Sequence, residues 1–229
     1  MLEVIILAGG LGTRLRSAVP DLPKCMAPVN GRPFIDYVVD SFVKQGVQHF
    51  IFSLGYMHEV LEKHLDEKYP ELQKKYVVET EPLGTGGGIQ KACSVASFKN
   101  VMIANGDTLF NVDVNELIAA HEKMESNCTL SLKPMENFDR YGVVEIDENQ
   151  QITSFKEKKH YEKGLINGGV YALNVANLLS LQLPEKFSFE KDYLETFFTK
   201  IKMCGLVQTG YFIDIGIPED FAKANRELA

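Results

Sequence analysis

Three glycines in four positions, Gly9, Gly10 and Gly12, run directly into Thr13 and Arg14. Glycines in such a loop let backbone N–H groups approach a polyphosphate with no Cβ in the way. Arg14 can add a bidentate, charge-assisted contact to the same anion. Lys24 follows in a proline-stiffened stretch, Leu22-Pro23-Lys24-Cys25-Met26-Ala27-Pro28, and lies within reach of the same phosphates. A second glycine-rich segment, Glu81-Pro82-Leu83-Gly84-Thr85-Gly86-Gly87-Gly88, has four glycines in five positions ahead of a helical stretch. It offers a flexible backbone edge to a nucleobase beside a helix N-terminus. Asp107 follows an apolar strand in Asn105-Gly106-Asp107, and Asp214 stands inside the apolar run Tyr211–Ile215. A buried carboxylate is costly unless it is paired or binds a metal. Two of them suit one Mg²⁺ shared with phosphate oxygens. Glu157 and Lys158 sit in a basic stretch, and Asn167-Gly168-Gly169 can present polar groups to a sugar.

Each segment also has a plain alternative. Glycine-rich strand exits occur as tight turns, an aspartate after a strand as a cap, and a charge run as a solvated face. Two such loops in one chain favour a shared nucleotide site over two turns. A dinucleotide loop of the G-x-G-x-x-G type is disfavoured, because Leu15 stands where the third glycine belongs and the second strand ends in Ser53-Leu54-Gly55 without a ribose carboxylate. The G-K-[ST] of a P-loop is absent.

The elements that must position these residues read as an α/β fold. Val4–Ala8, His49–Leu54, Lys75–Glu79 and Asn100–Asn105 read as strands, the first and last as continuous apolar runs typical of a buried parallel sheet. Helices are expected over Phe34–Gln45, Met57–Tyr69 and Gly88–Ala96, with Asp113 as the cap of a further one. The second half changes character. Strands are expected at Thr129–Pro134, Gly142–Ile146, Ile152–Phe155, Gly169–Leu173 and Tyr211–Ile215. A hairpin tip is expected at Asn149–Gln151 and a helix over Asp192–Met203. This predicts one domain over residues 1–229, with a parallel nucleotide-binding half over about 1–110 and an antiparallel-enriched sugar-binding half over about 111–229.

Composition sets the frame. The chain has 229 residues, 45% hydrophobic and 24% charged, which excludes disordered and low-complexity classes. No apolar run is long enough to span a bilayer, and the N-terminus carries no secretory pattern. A net charge of −7 and a pI near 5.3 argue against binding nucleic acid by overall charge, though not against a phosphate ligand in a local basic pocket. Four scattered cysteines without a CxxC pair fit reduced thiols in a cytoplasm.

Taken in order, Leu7–Leu15, the Lys24 segment, Pro82–Gly86, Asn105–Asp107, Glu157-Lys158, Asn167–Gly169 and Asp214–Gly216 resemble the sugar-1-phosphate nucleotidyltransferases. Within that superfamily, Asn137–Gly142, Gly164–Gly169, Phe187–Glu190 and Tyr211–Gly216 are most similar to the D-glycero-α-D-manno-heptose 1-phosphate guanylyltransferases. The resemblance implies a Rossmann-like nucleotidyltransferase fold with a mixed, mostly parallel central sheet. It implies that Leu7, Gly9, Gly10, Gly12 and Thr13 hold the nucleotide, with Arg14 and Lys24 on its phosphates. Glu81, Leu83, Gly84 and Thr85 would face the base. Asp107 and Asp214 would bind Mg²⁺, and Gly142, Glu157, Lys158, Asn167 and Gly168 would face the sugar phosphate. Arg14, Lys24, Asp107 and Lys158 would be the catalytic set. The implied partners are a nucleoside triphosphate and a sugar 1-phosphate, with neither nucleic acid nor membrane. The base and sugar stay open: mannose 1-phosphate with GTP, glucose 1-phosphate with UTP or dTTP, or a nucleotide-sugar sensor without turnover are the alternatives. Cys25 departs from the family's proline after the loop lysine, which predicts a less preorganised Lys24. The chain ends shortly after Asp214, so no appended β-helical domain is expected.

Overall fold

The computed structural model describes residues 2–10 and 22–228. Strand β1 (Glu3–Ala8) lies at the centre. A 3₁₀ turn (Lys24–Met26) and a two-stranded ribbon, β2 (Pro28–Val29) and β3 (Arg32–Pro33), lead into α1 (Phe34–Val43). Then come β4 (His49–Leu54), α2 (His58–Lys68), β5 (Gln73–Val78), α3 (Gly84–Cys93) and β6 (Asn100–Asn105). The second half holds β7 (Thr108–Phe110), α4 (Val114–Lys123), β8 (Cys128–Phe138), β9 (Val143–Ile146), β10 (Ile152–Lys156) and β11 (Tyr161–Asn174). It closes with α5 (Val175–Ser180), a π-helix (Phe189–Leu194), α6 (Glu195–Phe197), β12 (Met203–Val207), β13 (Phe212–Asp214) and α7 (Pro218–Glu227).

The strands form a mixed nine-stranded sheet. Strands β5, β4, β1 and β6 run parallel in that order, and β11 then pairs antiparallel with β6. The apolar run of β1 is continuous because both its faces are covered. Val4, Ile6 and Ala8 enter one core with α1, and Ile5 enters the other with α3. Asp113 caps α4 as expected, accepting from Glu116 N–H at 2.8 Å, and residues 147–151 turn between β9 and β10.

Two expectations fail for physical reasons. The helix expected over Asp192–Met203 ends at Phe197, and Met203 instead opens β12, which pairs parallel with β8. Leu194, Phe197, Phe198 and Ile201 carry helical spacing into that stretch, but pairing with β8 decides its last residues. The helix expected over Gly88–Ala96 instead runs Gly84–Cys93, so α3 contains the glycine run Gly84–Gly88. Glycine costs a helix about 1 kcal/mol relative to alanine, so the run needs a packing reason. A Cβ on Gly86 would meet the Phe187 ring at 2.1 Å, and one on Gly87 would meet the Glu185 carbonyl at 2.2 Å. The glycines let residues 185–187 lie directly on the helix.

Candidate active site

Strands β1 and β6 are adjacent, with β4 on the far side of β1 and the chain crossing in opposite directions from it. Ligands bind beyond the carboxyl ends of parallel strands at such a switch point. Leu7 pairs with Asn105 in register, and its carbonyl accepts from Gly106 N–H at 2.8 Å. Gly9 and Gly10 therefore leave the sheet beside Asn105-Gly106-Asp107. Gly12, Thr13 and Arg14 lie outside the described residues.

Lys24, Asp107 and Asp214 come together at this edge from three distant parts of the chain. Lys24 Nζ donates to Asp107 Oδ2. The β7–β13 pair sets Asp214 opposite Thr108, and Ile215 N–H donates to the Asp107 carbonyl at 3.0 Å. A Cβ on Gly216 would stand 2.8 Å from Asp214 Oδ1 and 3.3 Å from Lys24 Nζ, so a larger residue there would push these charged groups aside. Burial, and next the Asp107 charge, hold the Asp214 carboxyl above the usual carboxylate range, while Lys24 and the Gly216 amide oppose the shift. Two carboxylates that repel each other and a lysine already drawn to one of them make a site for hard cationic charge. Among the described residues no third His, Cys, Asp or Glu completes a metal group here. The donor set fits a divalent cation whose remaining ligands are phosphate oxygens and water.

Lys24 sits in the 3₁₀ turn, only 13% exposed at its side chain, with Met26 N–H bonded to the Pro23 carbonyl at 2.8 Å. A proline after Lys24 disfavours helical backbone at the lysine; Cys25 permits it. Cys25 itself is buried, and burial pushes its thiol up to about 12, so it offers no thiolate.

At the second glycine segment, Glu81, Gly84 and Thr85 are exposed and the Leu83 side chain is buried. The Leu83 amide donates to Glu79 Oε2 at 3.0 Å, and its carbonyl accepts from Phe187 N–H at 3.0 Å. Thr85 Oγ1 donates to Glu190 Oε2 at 2.8 Å and accepts from Phe189 N–H at 2.9 Å. Glu79 escaped the sequence reading. Its carboxylate also accepts from Ser53 Oγ at 3.2 Å, and a Cβ on Gly9 or Gly88 would come within 3.0 or 2.7 Å of it. It lies between Gly9 and the start of α3, where a negative charge is favourable.

A cavity of about 510 Å³ opens next to these groups and shares Asp214 with them. Gly142, Glu157, Lys158, Asn167 and Gly168 all line it. The β11 strand changes register between Asn167 and Tyr171, and this bulge, with Gly169 at φ +74°, turns Asn167 and Gly168 toward the cavity. Asn167 Nδ2 donates to the Tyr171 hydroxyl at 2.9 Å and its Oδ1 accepts from Gly169 N–H at 3.0 Å. Tyr141 and Phe212 form an aromatic wall, edge to face at 5.9 Å. Burial and then the Asp214 charge push the Tyr141 phenol up to about 12, keeping it a neutral donor. Glu190, Lys191 and Glu195 complete the polar lining. Tyr141, Phe212 and Glu190 lie in the stretches Asn137–Gly142, Tyr211–Gly216 and Phe187–Glu190, but no spacing in the sequence links them as one wall.

A glycine exit loop, a carboxylate pair and a polar cavity thus meet at one switch point, where phosphorylated ligands could be held. The chain belongs to the nucleotidyl transferase family, whose model matches residues 3–229. It is 48% identical over 227 residues to D-glycero-alpha-D-manno-heptose 1-phosphate guanylyltransferase of Aneurinibacillus thermoaerophilus, covering 99% of this chain and 98% of that one. The protein of the same name from Campylobacter jejuni is 41% identical over 220 residues, covering 96% and 97%. The crystal structure of HddC from Yersinia pseudotuberculosis superposes with a TM-score of 0.90 at 37% identity over the whole of both chains. The same protein complexed with GMP-PN gives 0.88 at 36%.

Proposed function

We propose that this protein transfers GMP from GTP to D-glycero-α-D-manno-heptose 1-phosphate, giving the nucleotide sugar and pyrophosphate. The relatives named above carry that activity in their names, and the GMP-PN complex of HddC supports a guanine nucleotide. The observation that carries the reading is the position of Asp214. It belongs both to the charged cluster at the switch point and to the lining of the cavity, so two phosphorylated substrates would meet across it.

The sugar phosphate oxygen attacks the α-phosphorus, a new P–O bond forms, and the bond to the β-phosphate oxygen breaks. The nucleophile is already an anion, so the protein's task is to position two anions and neutralise charge as it builds. Gly9, Gly10, Gly12 and Thr13 would cradle the triphosphate, and Arg14 and Lys24 would offset its charge. Glu81, Leu83, Gly84 and Thr85 would border the base, Thr85 through its backbone. Lys158 and Glu157 would hold the sugar phosphate with Asn167, Gly142 and Gly168. Asp107 and Asp214 would hold Mg²⁺, which when bound supplies charge neutralisation to phosphoryl oxygens. Residues 1–110 would form the nucleotide half and 111–229 the sugar half of one domain.

We place the enzyme in the cytoplasm, on the four buried, unpaired cysteines and the biosynthetic relatives. No helix of the described residues is long and apolar enough to cross a membrane. The test is pyrophosphate release with Mg²⁺ over a matrix of triphosphates and sugar 1-phosphates. Fastest release with GTP and the heptose phosphate is expected. Faster release with mannose or glucose 1-phosphate would move the substrate assignment, and no release with any pair would favour the sensor.

A further inference from the structure

Thr85 stands in the segment expected to border the base, yet its hydroxyl is bonded to the π-helix that lines the cavity proposed for the other substrate. Its hydroxyl makes two bonds, both to the π-helix: it donates to Glu190 Oε2 at 2.8 Å and accepts from Phe189 N–H at 2.9 Å. Ser188 Oγ adds a 3.2 Å bond to the same Glu190 oxygen. The backbone continues the seam, with Phe187 N–H bonded to the Leu83 carbonyl and Gly86 N–H to the Phe187 carbonyl, each at 3.0 Å. Gly84, at φ +75°, and Gly86 bring the two segments this close: a Cβ on either would strike Phe187.

The π-helix is a wall of the cavity. Glu190, Lys191, Leu194 and Glu195 line it from one side. π-helical turns are rare and concentrate at functional sites. The Phe189 ring packs edge to face on Tyr171 at 5.1 Å, and Tyr171 in turn holds Asn167 on the opposite wall. One threonine on α3 therefore anchors the carboxylate of one wall and, through Phe189, braces the other.

We propose that Thr85 is a positioning residue for the sugar phosphate: it aims the Glu190 carboxylate at substrate hydroxyls and locks the start of α3 to the sugar cavity. The proposal rests on the cavity being the sugar-phosphate site. A hydroxyl bonded to a charged group is stronger than a neutral pair, and misaiming one acceptor in a cavity built for hydroxyls weakens discrimination strongly.

The test is steady-state kinetics of the full chain with GTP and the heptose 1-phosphate varied in turn. Thr85→Val keeps the shape and removes both bonds. It is expected to raise KM for the sugar phosphate about tenfold or more and leave KM for GTP within about twofold. Thr85→Ser is expected to restore wild-type values. Thr85→Val added to Glu190→Gln is expected to cost little beyond Glu190→Gln alone. Should Thr85→Val fail to fold, Thr85→Ala carries the same comparison. A raised KM for GTP with the sugar KM unchanged, or additive losses in the double variant, would overturn the proposal. Lys158→Ala separates the two levels. If Lys158→Ala raises the sugar KM and Thr85→Val does not, the role of Thr85 is wrong; if neither does, the cavity reading fails with it.

Discussion

At the proposed nucleotide end, the candidate residues follow their strands directly: Gly9 and Gly10 leave β1, and Gly106 and Asp107 leave β6, side by side in the register Leu7–Asn105. The proposed sugar cavity is lined from many elements, with Glu157 and Lys158 following the end of β10. Asn167 and Gly168 reach it through a bulge within β11, Gly142 from the turn before β9, Glu190 from a π-helix, and Asp214 from the last strand. The first end is specified by short motifs and the second by long-range assembly. Damage at the switch point should therefore strike turnover, and damage around the cavity should strike sugar recognition, with Asp214 belonging to both.

The largest effects should fall where the two ends join. Asp107→Ala and Asp214→Ala are each expected to lower kcat by roughly 10²–10³-fold, with circular dichroism and Tm showing an intact fold. Near-normal turnover in either variant would remove that carboxylate from the charged cluster. Arg14→Ala is expected to lose turnover on the same scale; a change confined to GTP affinity would end its proposed transition-state role. The next effect belongs to the sugar end. Lys158→Ala is expected to raise KM for the sugar phosphate about tenfold while GTP binding, measured by calorimetry, stays within twofold. Equal weakening of both substrates would erase the distinction between the ends.

A smaller effect tests the seam between them. Gly86→Ala is expected to destabilise the protein by about 1–3 kcal/mol in urea unfolding, although alanine is otherwise the better helix residue by about 1 kcal/mol. The reason is the Phe187 ring, 2.1 Å from the would-be Cβ. Adding Phe187→Leu should recover part of the loss, and a stabilised Gly86→Ala protein would show that the seam is not tight.

The least effect on activity should come from the far side of the second half. His121 is 2% exposed, and its Nδ1 lies 2.9 Å from Thr129 Oγ1. Burial holds its imidazole down at about 4, against an ordinary 6.5. The unfolded chain therefore takes up the proton before the fold does. This contribution is complete above about pH 6.5 and is lost as pH falls toward 4, amounting to about 3 kcal/mol. Unfolding curves of wild type and His121→Gln should diverge in slope through that window, while kcat/KM at neutral pH changes little. Identical slopes would refute the buried neutral imidazole.

The same contrast explains how much was legible in the residues alone. Strands β1, β4 and β6 are visible because burial on both faces demands unbroken apolar runs. Asp107 and Asp214 stand out because carboxylates beside such runs need partners. The start of α3 was hidden because glycine reads locally as loop, and only Phe187 and Glu185, about a hundred positions on, explain why a helix tolerates it. Strand β12 was hidden because a helical pattern runs into it and only β8 decides otherwise. Glu79 belongs to no motif, and Tyr141, Phe212 and Glu190 lie in stretches that carry the resemblance without any role assigned to them; all four acquire roles from what the fold sets beside them.

The proposed reaction is attack by a sugar phosphate on the α-phosphorus of GTP at a site centred on Asp214. Following ³²P from α-labelled GTP, with the heptose 1-phosphate and Mg²⁺, tests it most directly. The label is predicted to enter the nucleotide sugar, with unlabelled pyrophosphate released, and to stay in GTP with Asp214→Asn. Label that never reaches the sugar product, or full transfer by Asp214→Asn, would contradict it.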